Sequence, residues 1–253
     1  MRSARRTAAS LECSALTDLD QESGAARRAP SWTSPTYAVR APLATWFQAE
    51  AEAAHTRYGS YRLLDIGCGD KPYEPFFAPH VSEYVGCDVV DNPHAQLKGP
   101  IEALPAEDAS FDVVLCSQVL EHCEDPAAAV RELRRVVKPG GTVLASTHGV
   151  YVYHPSPHDR WRWTHEGLAY LFEQHADWSS LSVTPASGTG ACVAMVLSVY
   201  LDLLVKRARV RALGKPFIAG MNRLAAALDR RVPMLSDPIP GALFANLHVK
   251  AVA

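Results

Sequence analysis

Leu63-Leu64-Asp65-Ile66-Gly67-Cys68-Gly69-Asp70 is the stretch from which the fold can be read. Tyr61 to Ile66 form a short apolar run carrying one acid, and Gly67 and Gly69 end it abruptly, which predicts a buried parallel strand breaking into a turn. Two glycines let the main chain bend tightly there and leave no side chain between it and a bound molecule. About twenty residues further on, a second apolar run, Tyr84 to Val90, carries Asp88, where a nucleotide-binding α/β sheet places a carboxylate for the hydroxyls of a ribose. The dinucleotide pattern G-x-G-x-x-G requires a third glycine, but Pro72 stands there and has no N–H for a pyrophosphate. The pair therefore favours a nucleoside ligand over a phosphate cradle.

The order of motifs downstream carries a resemblance. Glu102-Ala-Leu-Pro105, Ser110-Phe-Asp112, Val119-Leu-Glu-His122 and Val137-Lys-Pro-Gly-Gly141 follow the glycine turn in sequence. Together with D-x-G-x-G they resemble class I S-adenosylmethionine-dependent methyltransferases, in particular the small-molecule, type 11-like group. The resemblance covers roughly half the chain. It implies a Rossmann-like α/β fold with a seven-stranded sheet whose last strand is antiparallel, and S-adenosyl-L-methionine as cofactor. Asp65, Gly67, Cys68, Gly69, Asp88 and Val89 are then the expected cofactor contacts, joined by Ile101, Glu102, Ser117 and Gln118. Many relatives carry an aspartate where Pro100 stands, which leaves the adenine to Glu102 or to main-chain groups near Ile101.

Composition narrows the function. The 253 residues hold 48% hydrophobic and 21% charged residues, and a net charge of −2 gives no electrostatic case for nucleic acid. The six cysteines form no C-x-x-C pair, so they read as reduced, small apolar residues in a cytoplasmic protein, with no metal site. Residues 1–30 lack periodic apolar spacing and read as a disordered tail; no apolar stretch follows the N-terminal arginines, which argues against secretion. Residues 31–253 read as one domain, with 188–240 a helical elaboration before the last strand.

Within that domain, Leu43, Trp46, Phe47, Ala51 and Ala54 predict a helix from Pro42 to Tyr58. Three prolines between Lys71 and Pro79 predict a short or irregular first crossover. Phe111–Cys116 and Thr142–Thr147 read as strands four and five, separated by a helix that Asp125 caps, whose stripe is Val130, Leu133 and Val137 and which the Lys138–Gly141 segment stops. The apolar segment 191–205 falls short of the roughly twenty residues of a membrane span. A packed cap or homodimer contact is the first reading of it, and membrane-surface contact, suggested by the basic residues that follow, the second.

The richest stretch chemically is His148 to His165, a proline-broken segment after a strand end that faces the ligand crevice. Pro157, His158, Asp159, Arg162, Thr164, Gly167 and Leu168 match a P-H-D-x-x-R-x-T-x-x-G-L segment found in a subset of the same family. For a hydroxyl acceptor the expected general base is His158, oriented by Asp159, with His154 and His148 as rivals. The competing reading has Asp159 and Arg162 pinning the loop and Thr164 capping the next helix. The reaction the resemblance implies is methyl transfer to a small-molecule acceptor such as a sugar, cell-surface or natural-product intermediate. The alternatives are a non-catalytic protein of the same fold and a nicotinamide-dependent oxidoreductase, which Pro72 disfavours.

Overall fold

The computed structural model describes residues 23–155 and 157–253. The expected tail therefore lies outside the described residues up to residue 22. Its last part is ordered: α1 (Gly24–Arg28) is capped by Ser23 and is tied to the glycine turn region by Arg28, whose Nη1 donates to the Pro72 carbonyl at 2.5 Å.

Seven strands form one sheet in the order β3-β2-β1-β4-β5-β7-β6. They are β1 (Tyr61–Ile66), β2 (Val81–Asp88), β3 (Leu97–Lys98), β4 (Phe111–Ser117), β5 (Val137–His148), β6 (Ser180–Pro185) and β7 (Asn246–Val252). As expected, the last strand runs antiparallel: β7 is inserted between β5 and β6 and opposes both. The central strands are covered on both faces, as a parallel sheet requires. Leu64, Ile66, Val114 and Cys116 meet the cluster under α4 (Pro126–Val136) and α5 (His165–His175), whereas Leu63, Val113, Leu115 and Leu144 meet the cluster under α2 (Tyr37–Tyr58) and α3 (Glu74–Phe77).

Local chemistry explains most element ends. Asp125 accepts from the Ala128 amide at 3.0 Å and Pro126 opens α4, while Thr164 caps α5 by accepting from the Gly167 amide at 3.0 Å. The first crossover is a single turn, α3. Val137, expected on the helical stripe, instead begins β5 and pairs with Phe111. Helix α2 starts five residues earlier than expected and absorbs Pro42. Its first turns are held by packing: Ala38 and Val39 are buried against Cys192, Met195 and Val199, which offsets the hydrogen bond that a proline removes.

The 188–240 segment is an antiparallel helical pair, α6 (Thr189–Arg207) and α7 (Arg211–Arg231). Asp229 of α7 accepts from the first amides of α6, Gly190 and Ala191, both at 2.9 Å. The five described cysteines are free and buried.

Candidate active site

The site lies at the carboxyl ends of β1, β2, β4 and β5, where the strand order changes direction, the usual place for a ligand in an open α/β sheet. A cavity of about 510 Å³ opens there. Eight of the ten expected cofactor residues line it: Asp65, Gly67, Cys68, Gly69, Asp88, Val89, Ser117 and Gln118.

The glycine turn does two separate jobs. Gly67 (φ +64°) and Gly69 (φ +50°) both take left-handed backbone conformations. A Cβ on Gly67 would meet Val119 Cγ2 at 2.5 Å, so that glycine serves packing, whereas a Cβ on Gly69 would project into open space. Gly69 is thus the residue that keeps the main chain approachable. Its amide donates to Asp88 Oδ2 at 3.3 Å, and Asn92 donates to the same oxygen at 2.9 Å, which fixes the Asp88 carboxylate beside the turn. Asp65 is buried and accepts from the Tyr84 hydroxyl at 2.7 Å. Burial pushes its carboxyl up to about 7, against the opposing pull of Tyr84 and Lys71.

Two of the ten stand elsewhere. Ile101 is a core residue, and Glu102 turns its carboxylate to the amides of Glu124 (2.6 Å) and Asp125 (3.4 Å), capping the approach to α4. Neither lines the cavity. Gln118 lines it, with φ +58°, but its amide is held by Ser146 (2.9 Å) and Asn246 (3.1 Å).

The wall opposite the glycine turn comes from α2 and the loop after β5. Arg40, Val39 and Leu43 face the cavity from α2, and His122, His148, Tyr151 and His154 from the β4 and β5 ends. Tyr151 stacks on His148 with ring centroids 3.8 Å apart, and the His154 ring stands edge-on to both. His148 is buried and kept neutral by burial, reinforced by nearby His154 and Arg162. Beneath it lies Glu121, wholly buried, accepting from the Thr147 hydroxyl at 2.8 Å and raised to about 7 by that burial. Sequence reading assigned Glu121 no role. The signal was the acid of V-L-E-H, a charge placed in an otherwise apolar strand-end segment.

The loop histidine expected to act as base is placed differently. His158 is exposed and does not line the cavity; its carbonyl accepts from His122 Nδ1. Asp159 pairs with Arg162, which also donates to the Val152 carbonyl at 2.9 Å, and accepts from the His154 amide at 3.0 Å. Burial works against the Asp159 charge, but Arg162 and the His154 amide outweigh it and hold the carboxyl below its usual range. Of the expected catalytic trio, therefore, only His154 reaches the cavity. Asp159 anchors the loop that presents it.

A larger recess of about 770 Å³ lies on the other side of α2, walled by Trp32, Tyr37, Trp46 and His248. None of the ten expected cofactor residues lines it.

The fold is that of the class I methyltransferases, and residues 64–145 match the family model described as a methyltransferase domain. Curated relatives include a ubiquinone biosynthesis O-methyltransferase of Acinetobacter baumannii, 34% identical over 102 residues, covering 34% of this chain and 43% of the relative. The corresponding Bordetella avium protein is 32% identical over 128 residues, covering 45% and 52%. The chain thus spans about half the length of the curated relatives it matches. Among solved structures, a Bacillus halodurans protein assigned as a methyltransferase superposes with a TM-score of 0.51 at 17% identity, covering 81% of this chain and 97% of its own. The cyclase SpnF superposes with a TM-score of 0.50 at 16% identity, covering 81% and 80%. At such identities these structures establish the shared fold.

Proposed function

We propose that this protein transfers a methyl group from S-adenosyl-L-methionine to a hydroxyl of a small-molecule acceptor. The observation that carries this reading is the pair of carboxylates, Asp65 and Asp88, at the ends of adjacent parallel strands on either side of an open glycine turn. That pair of acceptors suits a nucleoside with a cationic amino-acid tail: Asp88 is fixed for two vicinal hydroxyls, Asp65 for an ammonium, and Gly69 leaves room for the chain between. When bound, the cofactor supplies an activated methyl on a sulfonium.

The remaining work falls to this chain. Arg40, Tyr151 and the imidazoles of His148 and His154 form the acceptor side, and His154 would take the hydroxyl proton as the oxygen–methyl bond forms and the methyl–sulfur bond breaks to leave a neutral thioether. Orientation of two reactants within one cavity supplies ~7–11 kcal/mol of barrier reduction, so no protein nucleophile is required. A hydroxyl acceptor is supported by the O-methyltransferase names of the Acinetobacter and Bordetella relatives.

Calorimetric titration with S-adenosyl-L-methionine and its demethylated form, followed by transfer of labelled methyl to a panel of phenols and catechols, tests the reading. Saturable binding of both and label in an ether product is expected. Absence of binding overturns the cofactor assignment; binding with label found only on nitrogen or sulfur acceptors overturns the hydroxyl assignment.

A further inference from the structure

The α6–α7 pair has an outer surface that the fold leaves uncovered. Helix α6 is long and apolar enough, by length and composition, to cross a membrane, the one such helix among the described residues. Its packing rules out that use in this fold, because Cys192, Met195 and Val199 are buried against Ala38 and Val39 of α2 and against Ala245. The opposite stripe, Val193, Leu197, Tyr200 and Leu204, recurs at helical spacing and is exposed, Leu204 by 65%. Near the turn between the helices the pattern continues with Leu213 and Phe217, exposed by 65% and 69%. Large apolar side chains clustered in this way mark a surface that meets something other than water.

Charge selects the occupant. Residues 189–231 hold eight Lys or Arg and two Asp, a net +6 in a chain whose total is −2. Both acids are already engaged, Asp202 by Lys206 at 2.8 Å and Asp229 by the α6 amides. Arg207, Arg209, Arg211 and Lys215 surround the turn and are all exposed. A symmetric contact between two copies would bring two such basic surfaces together, a like-charge arrangement that costs affinity. An anionic lipid surface, in contrast, matches both features: basic residues near the headgroups and apolar side chains reaching the acyl boundary.

We propose that the α6–α7 turn docks on anionic membrane, with Leu213 and Phe217 inserted at the interface and Arg209 and Lys215 against the headgroups, the helices lying on the bilayer and not crossing it. The proposal is independent of the methyl-transfer reading.

Co-sedimentation of the full chain with vesicles of phosphatidylcholine alone, or containing phosphatidylglycerol, tests it. At least about tenfold tighter association with the anionic vesicles, weakening as salt is raised, is expected. The double variants Arg209→Glu/Lys215→Glu and Leu213→Asp/Phe217→Asp should each lower it about tenfold or more, with unchanged circular dichroism and thermal melting. Equal association with both vesicle types, no association, or insensitivity to the charge reversal overturns the proposal. So does a stable wild-type dimer in analytical ultracentrifugation that Leu213→Asp/Phe217→Asp converts to monomer, which would assign the surface to a second copy.

Discussion

Glu121 Oε1 and His148 Nε2 stand 3.3 Å apart, both side chains buried, His148 on the wall of the cavity and Glu121 behind it. The Asn246 amide nitrogen lies 3.5 Å from the other ring nitrogen. Glu121 also receives the amides of Arg160 and Trp161 on its main-chain carbonyl, so it joins the ends of β4 and β5 to the loop that completes the site. Glu121→Ala should strand the Thr147 hydroxyl in the interior at about 1–3 kcal/mol, lowering the melting temperature by several degrees. Glu121→Gln, which keeps an acceptor for Thr147, should recover part of that loss. Thermal melts of the two variants check the order.

Asp65 gives the site a pH dependence. Burial raises its carboxyl to about 7, and an ammonium group binds the ionised form, so affinity for S-adenosyl-L-methionine should strengthen as pH rises through roughly 7, with proton release on binding. Fold stability runs the other way. The folded state keeps a proton that the unfolded chain gives up near 3.8, so the Asp65 contribution is complete below that value and is lost as pH rises through about 7. Asp65→Asn should bind weakly and nearly independently of pH. Calorimetry in buffers of different ionisation enthalpy measures both effects.

Asp88→Ala removes the acceptor proposed for the ribose. Hydrogen bonds to a charged group contribute about 1.5–3 kcal/mol, so the cofactor dissociation constant should rise about 10- to 100-fold. Since the Asp88 carboxylate also holds Asn92 and the Gly69 amide, Asp88→Asn serves as the milder comparison. Equilibrium binding of the demethylated cofactor reads the difference.

The two loop histidines should separate cleanly. His154→Ala is expected to lower kcat about 100-fold or more for a hydroxyl acceptor, with cofactor affinity unchanged. His158→Ala should leave kcat within about twofold, because its ring is exposed and away from the cavity. Arg162→Ala, by releasing Asp159 and the Val152 carbonyl, should raise KM for the acceptor more than it lowers kcat. Steady-state kinetics on the three variants decides.

The sheet was readable wherever hydrophobicity dominates: β1, β2, β4 and β5 are apolar runs closed by Gly, Asp or Ser, and their ends carry residues that line the cavity. Eight of the ten residues expected at the cofactor line one cavity, because a tight turn and a fixed carboxylate need particular residue types at particular places. Glu102 escaped because an acid just before a helix serves equally well as a ligand and as a cap, and only the Glu124 amide at 2.6 Å separates the two. His158 escaped for a related reason. Four histidines within one loop look alike in sequence, and which one enters the cavity depends on how Arg162 and Asp159 fold the loop back. The start of α2 was hidden by Pro42, whose local preference is overridden by contacts with α6, a segment about 150 residues away that local reading does not connect to it.

Helix α2 presents Val39, Arg40 and Leu43 to one chamber and Tyr37, Ala41 and Thr45 to the other. A single rod is the partition between two rooms. A molecule in the Trp32–Trp46 room would lie within a turn or two of one helix from Arg40 on the far side.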